Sequence, residues 1–138
     1  MYFSVAEVAE CLKPFAQVCH GKCSPLQRMQ AGDGLIYYSP RLEFDGKEPC
    51  QAFTAIGRIV DGRVYEFDMG EGFIPFRTNV AYSDCTEAPI EPLLDLLSFI
   101  KNKKRWGFPF RTGHFEIVRS DLDVIVAAMG VRDGESYR

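Results

Sequence analysis

Apolar positions change period along the chain. Val5, Val8, Ala9 and Leu12 fall at helical spacing behind Ser4 and Glu7, a capping-box pair, and Pro14 closes the run, so the chain is predicted to open with a short helix. From Gly34 the pattern turns to β-branched and aromatic residues in strand-length runs: Leu35–Ser39, Ala52–Val60, Val64–Phe67 and Arg77–Ser83. Turn chemistry separates them at Ser39-Pro40, Asp45-Gly46, Asp61-Gly62 and Gly70-Glu71-Gly72. Asp61-Gly62 carries the strongest hairpin signal. A second helix is predicted from Pro92, with Leu93, Leu96, Leu97 and Ile100 as its stripe. The last helix takes Ser120 as N-cap, buries Leu122, Ile125, Val126 and Met129, and stops at Gly130.

Strands outnumber helices, short turns join most of them, and the helices stand before and after them. This predicts an α+β fold with a small curved or barrel-like sheet rather than a doubly wound one. A chain of 138 residues supports one core, so residues 1–138 are read as a single domain, with 130–138 as a polar tail. The longest apolar run, Val124–Met129, is far short of a membrane span, and no secretory pattern follows Met1. A soluble, cytoplasmic, monomeric protein without membrane partners is expected. Five cysteines without paired spacing are expected to be free thiols.

Charge refines this picture. The net charge is only −3, but two windows contain no Asp or Glu. Cys11–Gly32 holds Lys13, His20, Lys22 and Arg28; Leu96–Phe115 holds Lys101, Lys103, Lys104, Arg105, Arg111 and His114. They carry +8 between them, leaving −11 on the rest of the chain. If the windows meet in space, an acidic body carries a basic face that attracts polyanions. The alternative is a solvated helix end, with Lys101–Lys104 complementing its negative dipole.

The richest segment for chemistry is Arg105–Phe115. Read as extended chain, it projects Trp106, Phe108 and Phe110 together and turns Arg105 and Arg111 the other way. Aromatics flanked by cations suit base stacking with phosphate contacts, although a domain with eleven Phe must bury most of them. Cys19-His20-Gly21-Lys22-Cys23 supplies too few ligands for a closed zinc site and reads better as a turn presenting a cation and an imidazole. Tyr37-Tyr38-Ser39-Pro40 places Ser39 and one tyrosine at a strand mouth, with one of the two tyrosines facing inward. Phosphate-loop, dinucleotide, nucleophile-elbow and zinc-protease motifs are absent.

Phe15–Lys22, Gly32–Pro40, Gln51–Gly57 and Trp106–Ile117, in this order and spacing, resemble the EVE-domain family over about Phe15–Met129. The resemblance implies a PUA-like mixed β pseudo-barrel with flanking helices, related to YTH domains. It also implies a non-catalytic reader of RNA or DNA whose aromatic and polar pocket accepts a base, plausibly a modified one, without metal or cofactor. His20, Lys22, Tyr38, Ser39, Trp106, Phe108, Phe110, Arg111 and His114 are then the ligand-binding candidates. Lys101, Lys103, Lys104 and Arg105 are the phosphate-binding candidates. Family members open with a full strand bearing a tryptophan before the first helix, whereas here only Met1-Tyr2-Phe3 precedes the Ser4 cap, so this strand is expected to be curtailed, with Tyr2 or Phe3 in the place of the tryptophan. Two rival readings remain: a small enzyme using Cys19, His20 and His114 on a nucleotide-like substrate, and a module binding a peptide or small ligand.

Overall fold

The computed structural model describes residues 3–7, 15–16, 26–41 and 49–131. The described residues form seven strands: β1 (Phe3–Glu7), β2 (Phe15–Ala16), β3 (Gly34–Arg41), β4 (Pro49–Glu66), β5 (Phe76–Tyr82), β6 (Ala88–Pro89) and β7 (His114–Glu116). They make one mixed sheet, ordered β2-β5-β4-β3-β1-β7, with β6 beside β4. β1 runs parallel to β3; every other pairing is antiparallel. The described strands form an open sheet, and the fold is α+β. A helix at Arg119–Met129 closes against one face and ends where Gly130 adopts φ +58.

Core side chains fall on both faces. Val5, Ile36, Phe53, Ile90, Leu122 and Ile125 pack on the side of the C-terminal helix; Ala6, Leu26, Met29, Leu35, Ile59 and Val80 pack on the other. Covering both faces explains why apolar residues run continuously through β3 and β4 instead of alternating. It also settles the two tyrosines: Tyr38 goes to the helix side and Tyr37 to the opposite core, both buried.

Several expectations change. The first element is a strand, because Phe3–Glu7 inserts between β3 and β7 and takes backbone partners on both sides. Tertiary pairing outweighs the local cap signal of Ser4, which is fully buried. Val8, Ala9, Leu12 and Pro14 lie outside the described residues. Asp61-Gly62 turns no hairpin. Its aspartate accepts a hydrogen bond from Arg63 N (2.9 Å), but β4 continues through it as a bulge, with Ile59 opposite Val80 and Val64 opposite Thr78. Gly62 has φ +71, and a Cβ there would stand 3.2–3.3 Å from Met29 O, Gln30 Cα and Ala31 N. The bulge thus seats against the 29–31 turn. The true hairpin turn is Gly70–Phe73, where Phe73 N donates to Gly70 O (3.0 Å).

β3 likewise passes through Ser39-Pro40, with the proline at a register shift that needs no ladder donor. After Pro92 the chain makes a 3-10 turn at Glu91–Leu93 and further turns in place of a full helix. Leu93, Leu97 and Ile100 are buried as expected, while Leu96 is 60% exposed. Val118, and not Ser120, occupies the N-cap of the last helix, without a side-chain cap bond. Asp45-Gly46 and residues 132–138 lie outside the described residues. Among the described residues, no helix is long and apolar enough to cross a membrane.

Candidate functional site

From Lys103 to Thr112 the chain is not extended; only at His114 does it become strand. Asn102 starts a 3-10 turn at Lys103–Arg105 by accepting Lys104 N at its side chain (3.0 Å). A second 3-10 turn, Phe108–Thr112, has Pro109 near its start, where a missing N–H costs nothing, and ends at Gly113 with φ +79. Gly113 N donates to Phe110 O (3.1 Å), and β7 begins at once. Tight turns replace the two-residue alternation, so the three aromatics part company.

Phe110 turns into the core and stacks on Tyr38, with ring centroids 4.0 Å apart and planes at 19°. Trp106 is half-buried and meets both rings edge-on, at 6.4 Å from Tyr38 and 6.5 Å from Phe110. Phe115 and Phe99 close the cluster at 5.5 and 6.1 Å from Phe110. Phe108 stands apart. It is 64% exposed, and the Arg111 guanidinium lies 5.6 Å from its ring centre. Around it Lys104, Arg105, Gly107, Phe108 and Arg111 line an open depression of about 570 Å³. The depression therefore combines a flat apolar ring with three cations and carries no carboxylate.

The other candidates divide by accessibility. Ser39 is buried, its hydroxyl 2.8 Å from Thr54 Oγ1 beside the register shift between β3 and β4. Tyr38 is the floor under Phe110. Lys101, Lys104, Arg105 and Arg111 are exposed; Lys103 is exposed too but ion-paired with Asp95. His114 is buried opposite Ala6 on the Tyr37 side of the sheet. Burial, and secondarily the charge of Arg28, push its imidazole down to about 4, so it is neutral at pH 7. His20, Lys22, Cys11, Cys19 and Cys23 lie outside the described residues.

One residue that sequence reasoning passed over holds this region to the body. Asp121 reads as an ordinary acid in the first turn of a helix, yet it is buried. Its carboxylate accepts Ser98 N at 2.7 Å and the Ser98 hydroxyl at 2.6 Å. It fixes the chain just upstream of the cationic turns, and nothing in its sequence neighbourhood hints at this. Among the described residues, no group of three His, Cys, Asp or Glu is placed to hold a metal. Cys85 is a free thiol, and burial pushes it up, away from the thiolate a nucleophile needs.

Comparison with known proteins places the chain. The EVE-domain model matches residues 2–128. A UPF0310 protein in the gntR 5' region of Bacillus licheniformis is 50% identical over 115 residues, 83% of this chain and 78% of that relative. A UPF0310 protein of Mycolicibacterium vanbaalenii is 48% identical over 83% of this chain and 79% of the relative. The UPF0310 protein YdcG of Bacillus subtilis is 44% identical over 85% and 80%. The solution structure of Rpa0253 from Rhodopseudomonas palustris aligns over the full length of both chains with a TM-score of 0.55 and 9% identity, a likeness of fold alone. The family model over nearly the whole length and the relatives at 44–50% identity agree: this chain belongs to the EVE-domain family.

Proposed function

We propose that the protein is a nucleic-acid-binding module that receives an extruded, plausibly modified base of RNA or DNA at the depression formed by Lys104, Arg105, Gly107, Phe108 and Arg111. The observation that carries this reading is the pairing of an exposed ring, Phe108, with Lys104, Arg105 and Arg111 in one concavity that no described carboxylate lines. Phe108 offers the stacking face, worth about 1–3 kcal/mol per base. Arg111, already placed over that ring, and Arg105 and Lys104 take the flanking phosphates. Lys103, paired with Asp95, contributes less than its neighbours. Trp106 is not on the lining of the depression; it packs edge-on against Tyr38 and Phe110 beneath the turn that carries Phe108.

Extruding a base costs a few kcal/mol, which stacking and a close fit must offset. Such a site favours bases that leave a duplex easily or lie in single strands. The test is titration of RNA and DNA oligonucleotides, methylated and unmethylated, at two salt concentrations. Binding is expected to weaken steeply with salt and to fall on Phe108→Ala. Binding indifferent to salt, to Phe108→Ala and to Trp106→Ala overturns the reading. Turnover of a nucleotide-like substrate lost on His114→Gln would establish the enzymatic alternative in its place.

A further inference from the structure

Beyond the sheet, β4 and β5 continue as a two-stranded ribbon. Phe67 N donates to Pro75 O and Met69 N to Phe73 O, both at 3.0 Å, and the ribbon turns over at Gly70–Phe73. Four large apolar side chains stand on it in the open: Phe67, Met69, Phe73 and Ile74, each between 43% and 49% exposed. Between Val64 and Phe76 the only charges are Glu66, Asp68 and Glu71, all exposed acids. Exposed apolar side chains concentrated on one projection mark an interaction surface; the buried Arg77 guanidinium lies 4.0 Å from the Phe67 ring at its base, and the exposed acids toward the tip disfavour a polyanion as the occupant. The cationic depression has the opposite composition: Lys104, Arg105 and Arg111 around an exposed Phe108. In the strand order the ribbon and the depression are separated by β3 and β1.

We infer that the acidic, apolar ribbon tip of one copy docks into the cationic depression of a second copy, a head-to-tail contact that covers the surface assigned above to nucleic acid. Complementary charge selects the pairing, and Phe73 against Phe108 supplies apolar contact. Tip against tip is disfavoured, since it would face acid with acid. The contact is small, so it forms only at high protein concentration, and dilute protein is monomeric. Because the contact is heterologous, it extends to short chains rather than stopping at a closed dimer. Nucleic acid and the second copy compete for one surface, so binding a polyanion disperses the chains.

Sedimentation velocity from about 10 μM to about 1 mM, a range suited to small interfaces, is the measurement. The weight-average sedimentation coefficient is expected to rise with concentration and to return to the monomer value on addition of salt. The double variants E66K/E71K and K104E/R111E are each expected to remain monomeric alone, because tip and depression then carry the same sign. An equimolar mixture of the two regains association. A monomer across the whole range, or association that survives both double variants, overturns the inference; circular dichroism confirms that each variant is folded. A single-stranded oligonucleotide is the second arm. Association without oligonucleotide binding leaves this contact standing and removes the nucleic-acid reading; oligonucleotide binding by a permanent monomer does the reverse.

Discussion

Phe108 and Phe110 stand two residues apart in one 3-10 turn, yet the first is 64% exposed and the second 3%. The same short segment thus has a foot and a head. Its foot is an aromatic cluster, with Phe110 stacked on Tyr38 and Trp106, Phe99 and Phe115 around it; its head is an exposed ring among cations. The foot resembles core and is rigid because rings fill space with few rotamers. The head makes few contacts with the body, so its side chains answer to whatever approaches from outside. The difference separates two kinds of mutation that a view of the sequence alone would merge: those that unfold the segment and those that only change what it holds.

The strongest test of the foot is Phe110→Ala, which removes a stacked, buried ring. Stability is expected to fall by about 3–5 kcal/mol, read by denaturant unfolding, and binding to be lost with the fold. If Phe110→Ala unfolds no more easily than Phe108→Ala, the distinction between foot and head fails.

Next comes acidity on the far face of the sheet. The His114 imidazole is held down near 4, below its unfolded value near 6.5, so between these values the unfolded chain binds a proton that the folded one does not. Stability therefore drops as pH falls through that window, by roughly 2–3 kcal/mol at its lower end, and is unaffected by this group above pH 7. Thermal melts of the wild type and His114→Gln, compared across pH 7 to 4, isolate the effect; parallel curves would contradict it.

Loss of the tether beneath both regions is a comparable or smaller effect. Asp121→Asn, which weakens the bonds to Ser98 N and Oγ, is expected to cost about 1.5–3 kcal/mol and to lower oligonucleotide affinity only through the segment's placement. The head itself moves stability least. Phe108→Ala should stay within about 0.5 kcal/mol of wild type in unfolding while weakening base binding by about 1–3 kcal/mol. Arg111→Ala should flatten the slope of log affinity against log salt by about one phosphate contact.

Much of the sheet was legible because β-branched and aromatic runs are bounded by real turn residues: β3, β5 and the first half of β4 fall where periodicity puts them. What was hidden depends on contacts across the fold. Ser4 and Glu7 carry a helix-start signal, yet the slot between β3 and β7 takes them as strand. Asp61-Gly62 makes its local turn, but the 29–31 segment packed beneath it makes a bulge the better outcome than a hairpin. For the candidate site, residue types were readable and geometry was not. Arg105–Phe115 was recognisable as aromatic and cationic, but Gly107 and Pro109 favour 3-10 turns, and these divide Phe108 from Phe110. Asp121 gave no sign of burial because nothing in its neighbourhood predicts that Ser98, 23 positions away, supplies two donors.

The placement of β1 bears on how the chain is made. Ala6 pairs with Tyr37 on one side and His114 on the other, so the inner row of the sheet joins residues 108 positions apart. A ribosome exposes β1 long before β7 emerges, and one flank of β1 waits uncovered until synthesis has passed residue 116. Docking of β7 onto β1 therefore comes after the β3, β4 and β5 strands are available to pair with one another.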